Sequence, residues 1–348
     1  VLVEPFAAGA IRLSVLAGLP ELLDELGHDP APILASVGLQ QSWFADTDVR
    51  IAFATVGQLI THCIAVTHYS HIGLGLGARI RPSMLGIGGF IVQHATDVRT
   101  ALEDLIHYLS LHDEGGVVTL ASVGNTSLLG YSVYQDKVAE IGQIVFAALA
   151  AGNNIMQSLC GPQWRPREVL VTCPRPQEVS VYEGFFKAPV RFGATENALV
   201  FAADWLRVQP PRSDPLIYAY LKQQAGELRA SRNFETARGL KPLLRILLLT
   251  QNCTMPEAAR QLGMHSRTLG RRLRAEGTSF REEVASARCA MARQLLEQSV
   301  LPLAEVAEML GYAELSAFAH AFKQWSAMTP GEWRQRYQVQ SASSPPRA

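Results

Sequence analysis

Residues Glu257 to Gly277 read EAARQLGMHSRTLGRRLRAEG. Arg267, Arg271, Arg272 and Arg274 fall within eight positions of one another there, in a chain whose 31 Lys and Arg are balanced by 31 Asp and Glu. The segment breaks at Gly263, and on either side its apolar residues recur at helical spacing, so it reads as two short helices joined by a tight turn. In the second helix Leu269 and Leu273 are i, i+4 partners and face inward. Arg267, Gly270, Arg271 and Arg274 are then expected on the outer face.

The segment has an echo. Glu257-Ala-Ala-Arg-Gln-Leu-Gly263 is matched 48 positions on by Glu305-Val-Ala-Glu-Met-Leu-Gly311, and Leu269 and Leu273 are matched 49 positions on by Phe318 and Phe322. The second copy therefore has one extra residue in its turn. Each copy reads as a helix-turn-helix, whose second helix enters the DNA major groove. Ala259 and Ala307 are small where the paired helices must approach. Between the copies, SFREEVASARCAMARQLLEQ (Ser279 to Gln298) opens with the Ser-x-x-Glu capping pattern and predicts a helix of about 19 residues, roughly 28 Å long. Such a rod can hold two recognition helices near one DNA turn apart, about 34 Å. Outward arginines can pair bidentately with guanine or grip phosphate. A solvated face held by Arg–Glu pairs is the competing explanation for a single basic helix; two tandem units favour DNA.

Working outward, the charge is uneven. Lys241 to Tyr337 holds 13 Lys and Arg against 9 Glu and no Asp, a balance of +4. The remainder therefore carries −4. The basic half is all helical, whereas the first half mixes periods. SVLAGLPELLDEL (Ser14 to Leu26), a helix after Asp48 as N-cap, and TALEDLIHYLSL (Thr100 to Leu111) are helical. VVTLASVG and SLLGYSVY predict a hairpin around Asn125-Thr126. Val138 to Leu159 is helical again, REVLVTC is a strand, and VRFGATENALVFAADWL predicts two strands around a Thr-Glu-Asn turn. The expected fold is an α+β domain over 1–205, a linker region with helix over 206–240 stiffened by the prolines of QPPRSDP, an all-α domain of two helix-turn-helix units over 241–337, and a disordered tail over 338–348.

Composition excludes other classes. Nearly half the residues are apolar and 18% are charged, as in a globular protein. Global neutrality argues against coating nucleic acid or membrane with the whole surface. No run of about 18 uncharged apolar residues predicts a membrane span, and VLVEPFAAGAIRL lacks the pattern of a secretory signal. The five cysteines are scattered without a CxxC pair, which fits reduced thiols in a cytoplasm.

On these residues the last hundred positions resemble the DNA-binding domain of the AraC/XylS family of bacterial transcription regulators. The resemblance rests on PEAARQLGMHSRTLGRRLRAEG, on Ala287-Arg288 and Ala292-Arg-Gln-Leu-Leu296 in the linker helix, and on LAEVAEMLGYAELSAFAHAFKQWSAMTPGEWR with its closing Thr329-Pro-x-x-x-Arg334. The first half, through GARIRPSMLGIGGF and YEGFFKAPVRFGATENALVFAADWL, resembles more loosely the arabinose-binding-type effector domain of one branch of that family. The sequence departs from the pattern at His320, where an Arg is usual, and at Ala327, where a Gly is usual. The resemblance implies DNA contacts at Ser266, Arg267, Gly270, Arg271 and Arg274 in the first unit and at Leu315, Ser316, Ala319, His320 and Lys323 in the second. The second set is poor in charge, so the first unit is expected to carry most base readout, with Lys323 reaching phosphate.

The implied partners are double-stranded promoter DNA in successive major grooves, a second copy of the chain through residues 1–205, and a small-molecule effector. RNA polymerase is a partner such a regulator could touch. The expected location is the bacterial cytoplasm, on the nucleoid when DNA is bound, with no membrane. Tyr131, Tyr134, Trp164 and Tyr182 are candidates to line an effector pocket, although aromatics in such a domain also serve the core. The alternative is the same DNA module on a purely dimerising or enzyme-like first domain with no effector. Enzyme chemistry finds little support. Gly73-x-Gly75-x-x-Ala78 has a glycine spacing used in dinucleotide folds but follows a helix-like run and is expected to be a turn. His62, His68 and His71 do not share one helical face, so no metal and no cofactor are expected.

Overall fold

The computed structural model describes residues 9–46, 49–133, 138–231, 240, 243–245, 247–248, 252–262, 265–298 and 301–342. The chain forms two compact units, Val1–Arg232 and Asn233–Ala348.

In the first unit β1 (Ala10–Arg12) pairs antiparallel with β2 (Arg50–Ala52). Between them lie α1 (Leu19–Glu25) and α2 (Pro30–Ala35), the latter capped by Asp29. Then follow α3 (Phe53–Thr67), α4 (Ile72–Arg79), α5 (Ile87–His94) and α6 (Val98–Tyr108). The helix expected after Asp48 starts later: its N-cap is Ala52, because residues 50–52 are drawn into pairing with β1. Asp48 itself lies outside the described residues.

A five-stranded sheet forms the other layer. Its members are β3 (Gly116–Val123), β4 (Thr126–Val133), β5 (Glu168–Val171), β6 (Val190–Phe192) and β7 (Ala198–Ala202), in the order β3-β4-β7-β5-β6. The β3–β4 hairpin is present, with Val123 opposite Thr126. Its turn is thus Gly124-Asn125, one position earlier than expected, and Gly124 supplies the positive φ of +58°. β6 and β7 do not pair with each other. β5 sits between them, antiparallel to β7 and parallel to β6, with α8 (Ser180–Phe186) in the parallel connection. A parallel pair needs such a crossover, which short-range turn signals cannot reveal.

The twenty-residue α7 (Ile141–Cys160) packs on β4 and β7 with Ile144, Val145, Leu149 and Met156 buried. On its other flank lies α4. The glycine-rich IGLGLGAR is this helix, not the expected turn. A Cβ on Gly73 would stand 1.9 Å from the Gln143 carbonyl oxygen, and one on Gly77 2.4 Å from that of Ala147. Gly73 and Gly77 are i, i+4 and share the face on which α7 rests. Their small size serves close helix contact and nothing in their setting resembles a phosphate cradle.

α9 (Pro215–Ser231) completes this unit. It packs on α5, and Lys222 Nζ reaches Asp104 of α6 at 2.9 Å. The proline-rich segment before it is tied down too: Val98 N–H donates to the Val208 carbonyl and Asp214 N–H to that of His94. The expected linker is therefore part of the first unit as far as Ser231, since α9 covers apolar surface that would otherwise be wet.

The second unit is helical where described. Its labelled helices are α10 (Met255–Gln261), α11 (Ser266–Ala275), α12 (Phe280–Gln298), α13 (Leu303–Met309), α14 (Leu315–Ser326) and α15 (Pro330–Ala342). The positions that repeat in the sequence are the buried ones: Ala259 and Ala307, Leu269 and Phe318, Leu273 and Phe322. α12 ties the bundle together through Ala287, Met291, Ala292 and Leu296. Arg288 lies over the Tyr312 ring and Arg293 over that of Trp333, which also donates from Nε1 to Glu297. α15 runs to Ala342, past the expected start of the tail at 338; residues 343–348 lie outside the described set.

Candidate functional site

α11 starts after His265, whose ring accepts weakly from Arg267 N–H at 3.4 Å. It ends where Gly277 takes φ +77° and Thr278 N–H returns to the Leu273 carbonyl, a glycine-closed helix end. Within those limits Leu269 and Leu273 are fully buried, while Arg267, Arg271, Arg272 and Arg274 are exposed. Among the described residues none of these four forms an ion pair. The neighbouring α10 shows what a paired arginine looks like, with Arg260 bidentate to Glu257 at 2.8 and 2.5 Å. An unpaired basic face remains available to an anionic partner. Ser266 is half-buried at the helix start.

Gly270 departs from the expected outer face. It is buried, and a Cβ there would meet the Met255 methyl at 2.9 Å. Gly270 lets the start of α10 pack against α11, so it is a contact between helices. Arg272, part of the arginine cluster but not among the expected DNA contacts, is exposed beside Arg271. A helix covered on only one stripe leaves more than half its circumference open, which the i, i+4 rule for the buried pair already implies.

On α14 Leu315, Ser316, His320 and Lys323 are exposed and Ala319 is half-buried. His320 Nε2 lies 3.0 Å from the side-chain amide nitrogen of Gln324, so the ring is engaged within its own helix. Lys323 supplies a full positive charge on that face. Ala327, where the family usually has Gly, stands at φ +60° and donates its N–H to the Lys323 carbonyl. A non-glycine residue is thus held in the left-handed region at the close of α14.

The first unit contains a cavity of about 120 Å³ between the sheet and helices α3, α4, α6 and α7. Of the aromatic candidates among the described residues, Tyr131 lines it and Trp164 and Tyr182 do not. Trp164 is buried against Phe201, and Tyr182 against Phe146 with its hydroxyl on His71 Nδ1 at 3.0 Å. Both are core residues, because their rings fill space that the sheet and helices enclose. Tyr134 lies outside the described residues. At the polar end of the cavity stand His112 and Asp113, which the sequence reading passed over. Asp113 Oδ1 accepts from the N–H groups of Gly115 and Gly116, and Oδ2 from Tyr131. An Asp followed closely by Gly-Gly is an Asx-turn signal, and it marked this loop in the sequence. Burial pushes the Asp113 carboxyl upward against those hydrogen bonds. Burial, then the nearby guanidinium groups of Arg12 and Arg50, pull His112 down to about 3.

Among the described residues no group of His, Cys, Asp and Glu is placed to hold a metal ion, and no helix is long and apolar enough to cross a membrane. His71, one of the three histidines considered, is engaged by Tyr182 and Glu178. Cys63 is buried and its thiol is pushed up to about 12 by burial.

Residues 27–209 match the family described as the arabinose-binding domain of AraC transcription regulators, N-terminal, and residues 258–336 match a helix-turn-helix domain. The HTH-type transcriptional regulator VirS of Mycobacterium tuberculosis is 29% identical over 330 residues, covering 93% of this chain and 96% of its own. The ornithine utilization regulator of Pseudomonas aeruginosa is 25% identical over 342 residues, covering 95% and 98%. The crystal structure of the transcriptional regulator CdpR from P. aeruginosa aligns over 80% of this chain and 91% of its own, with 25% identity and a TM-score of 0.43. The first family match alone spans more than half of the sequence, the second covers the basic helices, and the chain belongs to the AraC family as a DNA-binding transcription regulator with an arabinose-binding-type N-terminal domain.

Proposed function

We propose that α10–α11 and α13–α14 act as two helix-turn-helix units, that α11 and α14 enter successive major grooves of promoter DNA, and that α12 sets their spacing. The observation that carries this is the arginine face of α11, exposed and without carboxylate partners among the described residues while Leu269 and Leu273 anchor the opposite side. Arg267, Arg271 and Arg274 make the base and phosphate contacts, with Arg272 on phosphate. α14 contributes less: Leu315, Ser316 and Ala319 offer van der Waals contact or one weak hydrogen bond, His320 is occupied by Gln324, and Lys323 reaches phosphate.

In the same reading the first unit senses a small molecule and joins two copies of the chain, and the protein works in the bacterial cytoplasm, where promoters and RNA polymerase are. A module with a balance of only +4 has a limited electrostatic hold on DNA, and linking two of them makes the second binding event intramolecular. Selection of binding sequences from a random DNA pool, followed by footprinting, tests this. Two protected patches per protein, about one helical turn apart, are expected. A single patch, or no sequence preference, would sink the two-groove arrangement.

A further inference from the structure

The cavity in the first unit has a one-sided lining. Its walls are almost wholly aliphatic, among them Val56, Ile60, Leu105 and Ile155, and its polar side chains are His112, Asp113 and Tyr131. Two of those three are committed to each other, since Tyr131 donates to Asp113 at 2.8 Å and Asp113 also takes two backbone N–H groups. His112 is different. It is 4% exposed, lines the cavity, and its ring forms no hydrogen bond among the described residues. An unpaired buried ring nitrogen is destabilising, and any partner of matching chemistry relieves that cost. We propose that this cavity binds a small uncharged molecule with an apolar body and a single hydroxyl, of the phenol or short alcohol class, and that His112 bonds that hydroxyl. The inference rests on the reading of this unit as effector-sensing and names the chemistry of the effector.

Each element of that description has its own reason. Size follows from volume: an apolar cavity of about 150 Å³ holds benzene, so about 120 Å³ suits a molecule of about benzene's size or slightly smaller. A carboxylate ligand would lie beside Asp113. A cation would lie near Arg12 and Arg50, whose field already opposes protonation of His112. A hydroxyl both donates and accepts, and so suits His112 in either neutral tautomer. A pentose brings about four hydroxyls, most of which would meet aliphatic walls and stay unpaired. The arabinose of the family's description is therefore a poor fit to this cavity.

Calorimetry and thermal shift on the full chain, without DNA, test the inference with phenol, cyclohexanol, toluene, benzoate and arabinose. Phenol or cyclohexanol should bind and raise Tm, toluene should bind about tenfold more weakly than phenol, and benzoate and arabinose should not bind at the same concentrations. His112→Phe should abolish the preference of phenol over toluene, and His112→Asn, which keeps a hydrogen-bonding group, should restore part of it. Ala148→Leu, which narrows the cavity from α7, should weaken phenol and toluene alike. Absence of binding by both phenol and cyclohexanol overturns the proposal, as does binding of arabinose or benzoate in their place. A tenfold preference that survives in His112→Phe overturns the role of His112. DNA affinity, measured separately with and without phenol on selected sites, distinguishes the two readings: binding of phenol with unchanged DNA affinity keeps the cavity site and removes the regulatory one.

Discussion

Lys222 Nζ lies 2.9 Å from Asp104 Oδ1, and the Tyr218 hydroxyl donates to the other oxygen of the same carboxylate. Both partners come from α9, in a stretch whose prolines read as a linker, while Asp104 sits on α6 with its side chain only 8% exposed. The contact makes α9 a structural part of the first unit. Lys222→Ala should leave Asp104 short of a partner and cost about 1–3 kcal/mol. A lowered urea midpoint with unchanged slope would show it. A fragment ending at Trp205 should be less stable than one ending near residue 232, and equal midpoints would show that α9 is dispensable.

The contribution of His112 to stability is pH-dependent, with a definite sign. In the folded chain its pKa is down at about 3, whereas an unfolded His titrates near 6.5. Between those values the unfolded chain binds more protons, so stability is full above pH ~6.5 and falls as the pH drops toward 3, at a slope of up to about 1.4 kcal/mol per pH unit. His112→Phe should flatten that part of the profile. Denaturation midpoints between pH 4 and 7 that fall equally in both proteins would place the acid sensitivity elsewhere.

Arg271→Ala should weaken specific DNA binding by about 1–3 kcal/mol and leave the melting curve unchanged, since the side chain is exposed and has no ion-pair partner among the described residues. His320→Ala should cost less, because an imidazole reaches less far than a guanidinium and this ring is already bonded to Gln324. Anisotropy at fixed salt decides both. An equal or larger loss at His320 would reverse the ranking of the two helices.

Ala327→Gly should stabilise the second unit by up to about 1 kcal/mol. At φ +60° alanine's Cβ crowds the backbone, a penalty of about 1–2 kcal/mol, against which glycine's greater freedom in the unfolded chain counts for part. Thermal unfolding would report a higher Tm. A lower one would show that the methyl makes contacts worth more than the strain.

Gly77→Val should be among the most damaging single changes in the first unit, at 3 kcal/mol or more by order of magnitude, because its Cβ would fall 2.4 Å from a carbonyl oxygen of α7 and neither helix backbone can yield. Gly226→Ala, in α9 with nothing near its Cβ, is the control and should be close to neutral or stabilising. Loss of the folded far-UV signal in the control would point to a different fault in the unit.

The second unit was the more legible of the two. Its helices are local, their apolar residues repeat at i and i+4, and a duplicated pattern marked Ala259, Leu269 and Leu273 with Ala307, Phe318 and Phe322 as core. The Ser279 cap was visible as Ser-x-x-Glu and forms, with Glu282 N–H donating to its hydroxyl at 3.3 Å, while the like cap of Thr329 on Glu332 N–H came only with the structure. Gly270 was misplaced because helical periodicity gives a direction and says nothing of how near a neighbouring helix comes; the Met255 methyl closes that side.

By itself the sequence determined the division into a mixed first half and a basic helical second half, the paired helices, the arginine face and the β3–β4 hairpin, all of which depend on residues within about twenty positions of one another. Tertiary structure alone decided the rest. It inserted β5 between β6 and β7, turned a glycine-rich stretch into a helix pressed on α7, and joined α9 to α6 through Asp104 and Lys222, partners 118 residues apart. It also brought His112, Asp113 and Tyr131 to one end of an aliphatic cavity. Such features arise from the packing of surfaces distant in the chain, where the gain is the removal of apolar area from water and the saturation of buried polar groups, and neither quantity is written in local periodicity.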